Sequence, residues 1–207
     1  MKKIAIFGAS GMTGICAVDA ALNQGLQVRA LLRDPTRLPE KYHSQIEIIQ
    51  GDVLVQTDVE KTVKGQDGVV VALGTRNDLS PTTDMSEGLK NIVSAMKKEN
   101  VEKISVCLSA FLFYDPEKVP AMFKDLNADH QRMFDYLKEQ GTLKWIAVLP
   151  PHIADTPSSP YTVKHDVSPG RVISKRDLGA FLVESLNNPE HYQQVCGLAT
   201  NVQATSS

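Results

Sequence analysis

KKIAIFGASGMTG, residues 2–14, decides the fold. Lys2-Lys3-Ile4-Ala5-Ile6-Phe7 reads as a short buried strand. It runs into a GxxGxxG loop, Gly8-Ala9-Ser10-Gly11-Met12-Thr13-Gly14, and Ile15 to Leu22 then reads as a helix. Strand, glycine turn and helix N-terminus together make an anion site. The first-turn amides of a helix have no partner within it, and the helix dipole favours negative charge there. Gly8 is expected to allow the tight turn, Gly11 the close approach of a pyrophosphate, and Gly14 the packing of helix on strand. The context is the one a dinucleotide-binding loop requires. The competing reading is a glycine-rich strand–helix turn with no ligand.

The rest of the chain bounds that reading. With 207 residues, 42% hydrophobic and 22% charged, it should fold as one globular unit over residues 1–207. A formal net charge of −2 gives no electrostatic case for binding nucleic acid or an anionic membrane. Cys16, Cys107 and Cys196 are odd in number and lack CxxC spacing, which argues against a disulfide framework or a structural zinc site, so no metal ligands are expected. A reducing cytoplasmic setting fits them. The run Ile4–Phe7 after two lysines is too short for a signal-peptide core, and no stretch approaches the roughly 20 apolar residues of a membrane span.

Apolar runs alternate with amphipathic stretches, the pattern of an α/β protein with a parallel sheet covered by helices. Strands are expected at Ile4–Phe7, Val28–Leu32, Ile46–Ile49, Gly68–Ala72, Ile104–Cys107 and Trp145–Leu149. Helices are expected at Thr13–Gln24 (ended by Gly25), Val55–Val63, Thr83–Glu99, Val119–Gln140 and after Ile173, where Ser174 and Asp177 have capping-box spacing. Ala154–Arg171, rich in Pro, Ser and Gly, reads as a surface loop or hairpin with a short extended piece at Tyr161–Val163. The polar tail after Val195 is expected to fray, above all at Ala204–Ser207. The fold expected is a single Rossmann-type doubly wound parallel sheet with helices on both faces.

Arg33 follows nineteen residues after Gly14, where an NAD protein usually carries an acid for the ribose 2′-hydroxyl. Arginine suits the 2′-phosphate of NADP instead, and Arg37 could close on the same group. A solvated surface charge is the other reading of Arg33, and the neighbouring Asp34 could serve a ribose. Ligands of open α/β sheets lie beyond the carboxyl ends of the strands. The exits there are Asp52-Val53, Leu73-Gly74-Thr75-Arg76, Leu108-Ser109-Ala110-Phe111 and Pro150-Pro151-His152-Ile153.

Five runs resemble one family closely: Lys2–Gly14, Leu73–Thr83 (LGTRNDLSPTT), Ser109–Pro120 (SAFLFYDPEKVP), Pro150–Ile153 (PPHI) and Arg171–Gly179 (RVISKRDLG). They resemble the biliverdin IXβ reductases, also called NADPH-dependent flavin reductases, in the atypical short-chain dehydrogenase/reductase group that includes NmrA-like proteins. The resemblance implies a monomeric cytosolic oxidoreductase of heme catabolism. It would pass hydride from NADPH to FMN, FAD or riboflavin, each a substrate and not a tightly held group, and to linear tetrapyrroles such as biliverdin IXβ. It implies a catalytic pair at Ser109 and His152. It implies NADPH contacts from Gly8, Ser10, Gly11, Met12 and Thr13 in the loop, from Arg33, Arg37, Asp52 and Val53, and from Leu73, Gly74, Thr75, Arg76 and Met85. Cys107, Leu108, His130, His152 and Ile153 complete that set. The chain departs from the family at Ser10 (Thr expected), Tyr114 (Trp) and Met122 (Arg), and the last change removes a cation that could meet a propionate or a flavin phosphate.

Carbonyl-reducing short-chain enzymes need a Tyr and a Lys four apart on a helix. Tyr114 and Lys118 have that spacing, but Pro116 between them breaks the helix. A conjugated acceptor asks less of side chains, chiefly that two π-systems be held face to face. Ser109 is expected to position by hydrogen bonding, and His152 to donate, orient or simply pack against the cofactor. Phe111, Phe113 and Tyr114 form an aromatic cluster, of which Phe111 and Tyr114 are expected to line the substrate pocket with Ser109. Cys107 is expected to be a buried neutral thiol, and His43, His165 and His191 to be surface residues without ligand spacing. The alternatives are a redox sensor that binds NADP(H) without turnover, and a reductase of another planar acceptor such as a quinone.

Overall fold

The computed structural model of the protein describes residues 1–201; the expected fraying of Ala204–Ser207 lies outside them. The elements, in chain order, are β1 (Lys3–Phe7), α1 (Met12–Asn23), β2 (Gln27–Leu32), β3 (Glu47–Gln50), α2 (Gln56–Val63), β4 (Gly68–Val71), α3 (Asp84–Glu99), β5 (Lys103–Cys107), α4 (Lys124–Lys138), β6 (Lys144–Leu149), β7 (His152–Ala154), β8 (Tyr161–His165), β9 (Val172–Ser174), α5 (Lys175–Glu184) and β10 (Gln194–Thr200). The main sheet runs β3-β2-β1-β4-β5-β6-β10-β8, and β7 pairs with β9 in a small second sheet. The first six strands follow the order of dinucleotide-binding folds. Every pair in the main sheet is parallel except β8 with β10.

Both faces of the sheet are covered, because alternate strand residues point to opposite sides. Ile4 and Ile6 face one core with Ala17, Val18 and Ala21 of α1 and Leu178, Phe181 and Leu182 of α5. Ala5 and Phe7 face the other with Val59 of α2, Leu89 and Ile92 of α3, and Met133 and Leu137 of α4. The six expected strands appear within a residue or two. Gly25 (φ +71°) closes α1, with Leu26 N–H donating to Ala21 and Gly25 N–H to Leu22.

Four expectations are corrected. Val195–Thr200 is not a fraying tail but most of β10, inserted beside β6 with Cys196, Gly197 and Leu198 buried. The extended piece expected at Tyr161–Val163 within the Ala154–Arg171 loop is there as β8, but it is an edge strand of the main sheet and not part of a surface loop or hairpin, with β9 soon after it. The single long helix Val119–Gln140 is instead a 3-10 turn, Ala121–Phe123, followed by α4, because Pro120 ends the preceding turn. At α5, Ser174 caps the Arg176 amide at 3.2 Å, but Asp177 does not reach back to complete a box. Its carboxylate accepts from the Ser159 amide at 3.1 Å and ties down the loop before β8.

Gly179 marks where α5 crosses α1. A Cβ there would meet the Cys16 carbonyl carbon and Cβ, both at 2.6 Å. Backbone has little freedom to retreat, so this clash outweighs the roughly 1 kcal/mol of helix propensity that alanine would add. Gly179→Ala should lower unfolding stability by about 1–2 kcal/mol in urea titrations. Gly141→Ala, with nothing near its Cβ position, should be close to neutral.

Candidate functional site

The site is built on the turn between β1 and α1. Gly8 has φ +85°, and a Cβ on it would lie 2.2 Å from the Ala72 carbonyl oxygen, so the loop passes directly under the end of β4. Gly14 is tighter still, with a Cβ falling 2.0 Å from the Gly8 carbonyl oxygen. Gly11 is the N-cap of α1 and offers no side chain, so no capping group from the helix's own sequence covers the first turn. The amides of Met12, Thr13 and Gly14 therefore belong to an uncapped helix N-terminus, which suits a pyrophosphate.

The corresponding end of α3 is closed. Asp129 of α4 is fully buried, and its Oδ2 accepts from the amides of Met85 and Ser86 at 3.1 and 3.3 Å. Its Oδ1 accepts from Arg132 at 3.0 Å, and Arg132 also donates to the Thr82 carbonyl at 2.6 Å. A protein carboxylate thus occupies the anion position of α3, and the one at α1 is left for a ligand. Met85, expected beside the cofactor, has its amide bonded to Asp129 and its side chain in the core.

The strand exits surround the open terminus. Arg76 reaches over the loop to donate to Ser10 Oγ at 3.3 Å. Gly74 has nothing within 4 Å of its Cβ position, which leaves room for a ligand against the backbone. Val53 is held by Asn91, whose side-chain amide donates to its carbonyl at 2.9 Å, and Asp52 caps the following turn by accepting from the Leu54 amide at 2.9 Å. Arg33 is exposed and has no carboxylate partner among the described residues. Asp34 is turned into local structure: it accepts from the Thr36 amide and hydroxyl at 3.1 and 2.6 Å and from Arg37 at 3.2 Å. The Thr36 hydroxyl above all holds its carboxyl below the usual range.

Beyond β5, Cys107 and Leu108 are buried, and burial pushes the Cys107 thiol up to about 12, so it is a neutral core thiol. The Ala110 amide donates to the Pro150 carbonyl at 2.9 Å, which stitches the β5 exit to the β6 exit and draws Ser109 toward the Pro150–His152 segment. Ser109 Oγ accepts from the Phe111 amide at 3.2 Å, which leaves its hydroxyl hydrogen free to donate. His152 is exposed, and its backbone is held by donation to the Arg171 carbonyl at 3.2 Å, with Ile153 beside Ile173 in the β7–β9 pair. His130 on α4 is held neutral, its pKa lowered to about 4 by burial against the opposing pull of Asp129.

The aromatic cluster differs in membership from the expected one. Phe111 packs against Tyr114, with ring centres 6.1 Å apart, and against Phe123 at 5.3 Å, while Phe113, half-buried, packs against the core. Tyr114 and Met122 are exposed beside it. Phe123, Asn127 and His130 lie four and then three residues apart, the spacing of one helical face, and Asn127 Oδ1 is buried with no protein donor. Sequence reading passed over Phe123, Asn127 and Asp129, since contacts across tens of residues leave no local pattern. Tyr114 and Lys118 lie at the ends of two separate 3-10 turns and form no helical pair.

The sequence profile of a family described as NAD(P)H-binding matches residues 8–189. The chain belongs to this NAD(P)H-binding family. Among curated proteins it is 31% identical over 118 residues to an uncharacterized chloroplastic protein of Arabidopsis thaliana. That match takes in 54% of this chain and 42% of the relative, so the chain spans under half the length of the curated relative it matches. Among solved structures, a Rossmann-fold NAD(P)-binding family protein from Shigella flexneri shares 22% identity at TM-score 0.77, covering 99% of this chain and 98% of that one. The oxidoreductase ylbE of Lactococcus lactis shares 18% at TM-score 0.81, covering 98% and 92%. A candidate NADH-flavin reductase of Streptococcus pneumoniae shares 20% at TM-score 0.78, covering 97% and 100%. At these identities the structures establish the fold.

The cradle fits a dinucleotide: an uncapped helix end, a loop with no room for side chains at Gly8 and Gly14, and open backbone at Gly74. Gly74→Ala should leave unfolding stability unchanged yet weaken NADPH binding, read by fluorescence titration. Gly14→Ala should damage both.

Proposed function

We propose that the protein is an NADPH-dependent reductase that passes hydride to flavins such as FMN, FAD and riboflavin, and to linear tetrapyrroles such as biliverdin IXβ. The observation that carries this reading is the aromatic shelf of Phe111, Tyr114 and Phe123 beside Ser109, beyond the carboxyl end of β5. A flat conjugated acceptor can lie on such a shelf, with Ser109 at its edge to orient it. Exposure of Tyr114 and Met122 keeps that wall accessible to large substrates.

NADPH, when bound, supplies the hydride. The first-turn amides of α1 would hold its pyrophosphate, and Arg33 its 2′-phosphate, since Arg33 has no carboxylate partner among the described residues while Asp34 is engaged by Thr36 and Arg37. Ser109 is free to donate one hydrogen bond to the nicotinamide amide or the acceptor. His152, exposed at the adjacent exit, would orient the same region. The acceptor proton comes from solvent, because a serine hydroxyl is a weak acid. Monomeric action in a reducing cytosol is part of the proposal and agrees with three buried free thiols. Among the described residues, no helix is long and apolar enough to cross a membrane.

Parallel assays of NADPH oxidation with FMN, biliverdin IXβ and a quinone test the reading. Turnover is expected with the first two. Tight NADPH binding without turnover of any acceptor would mark a redox sensor, and turnover of the quinone alone a different reductase. Arg33→Ala should cut kcat/KM with NADPH at least about tenfold while sparing NADH, as loss of one charge-assisted phosphate contact implies. Ser109→Ala should lower activity moderately; a loss approaching six orders of magnitude would make Ser109 an obligate acid.

A further inference from the structure

His165 ends β8 and stands directly opposite Cys196 in the antiparallel β8–β10 ladder. Residues paired in this way project from the same face of a sheet. His191 comes from the short turn Pro189–His191 just before β10 and leans over the same spot. His165 Nε2 lies 3.0 Å from His191 Nδ1, and Cys196 Sγ lies 3.7 Å from that nitrogen. All three ligand atoms fall within 4.8 Å of one another.

We infer that His165, His191 and Cys196 form a zinc site. Zinc takes imidazole nitrogen at about 2.0–2.1 Å and thiolate sulfur at about 2.3 Å in a tetrahedron, so its ligand edges run near about 3.3 Å for N···N and about 3.6 Å for N···S. The 3.0 and 3.7 Å edges need changes of only a few tenths of an ångström to meet those values, and the remaining edge, His165 Nε2 to Cys196 Sγ, lies within 4.8 Å and closes as the ion draws its ligands in. Two imidazoles and one thiolate suit a borderline-soft ion and not magnesium or calcium. The burial gradient also fits, since Cys196 is buried, His191 half-buried and His165 exposed, giving the ion an entry path and a solvent-side fourth position for water. His191 is fixed from behind by the ring of Phe181, 5.2 Å away and edge-on.

Binding requires the thiol proton to leave to solvent. The hydrogen shared between the two rings must move to an outer ring nitrogen. Cys196 is level with Val148 near the carboxyl end of β6, but the site sits at the β10–β8 edge of the sheet, on strands beyond β6 as seen from the β1 and β4 cradle. Its function is to clamp the edge strand β8 and the turn Pro189–His191 to β10.

The test is cobalt(II) and zinc titration of untagged, chelator-treated full-length protein. One equivalent of cobalt should give thiolate-to-metal charge transfer and the strong visible bands of a four-coordinate site, and zinc should displace it. Cys196→Ser should remove the charge-transfer band, while Cys16→Ser and Cys107→Ser keep it. His165→Ala, at an exposed position outside the core, should weaken zinc binding at least about tenfold and abolish the rise in Tm that zinc gives the parent protein. NADPH affinity should be the same with and without zinc. No charge-transfer band, a band that survives Cys196→Ser, or zinc affinity unmoved by His165→Ala would overturn the site and leave a His–His hydrogen bond beside a buried thiol.

Discussion

The carbonyl oxygen of Gly8 lies 2.0 Å from where a side chain on Gly14 would begin. That contact sets the distance between α1 and β1, and the rest of the site follows from it. With the helix drawn in this far, its first-turn amides stand beside the end of β4, where Gly8 passes under Ala72. Loosen the contact and the open helix end moves away from Gly74, Arg76 and the β5 exit. The second close approach, Gly179 on Cys16, fixes the other side of α1, so the helix is gripped by glycine contacts on two faces.

What the sequence makes legible is local. The β1–loop–α1 unit is contiguous, its glycines have separate steric reasons, and the six parallel strands are short apolar runs bounded by turns. The missed strands lack those marks. β7 and β9 have three residues each, and β8 mixes Thr, Lys and His among apolar residues. In β10 the run is broken by Gly197, which reads as a breaker. Its reason is tertiary: a Cβ there would meet the Val167 carbonyl oxygen at 2.1 Å, where the chain leaving β8 crosses the strand. Pro116 and Pro120 likewise broke a helical stretch into turns before α4 began.

The site was legible where it depends on backbone and obscure where it depends on side chains meeting across the fold. The strand exits could be placed from the pattern alone. Asp129 could not be read as the cap of α3, because 44 residues separate it from Met85. The same holds for Phe123, which joins Phe111 only because α4 folds back over the β5 exit. Cysteine and histidine spacing argued against a metal cluster, yet the β8–β10 register sets His165 opposite Cys196. Residues 31 apart in sequence become cross-strand neighbours, which no spacing rule along the chain would register.

Asp129 has one further consequence. Since α3 carries its own buried anion, that end of the protein is finished when the chain folds. The end of α1 is finished only when a phosphate-bearing molecule arrives. The nucleotide then acts as a structural member that the polypeptide does not encode, and its binding free energy adds to the stability of the folded state. The protein's lifetime then becomes tied to the supply of nucleotide.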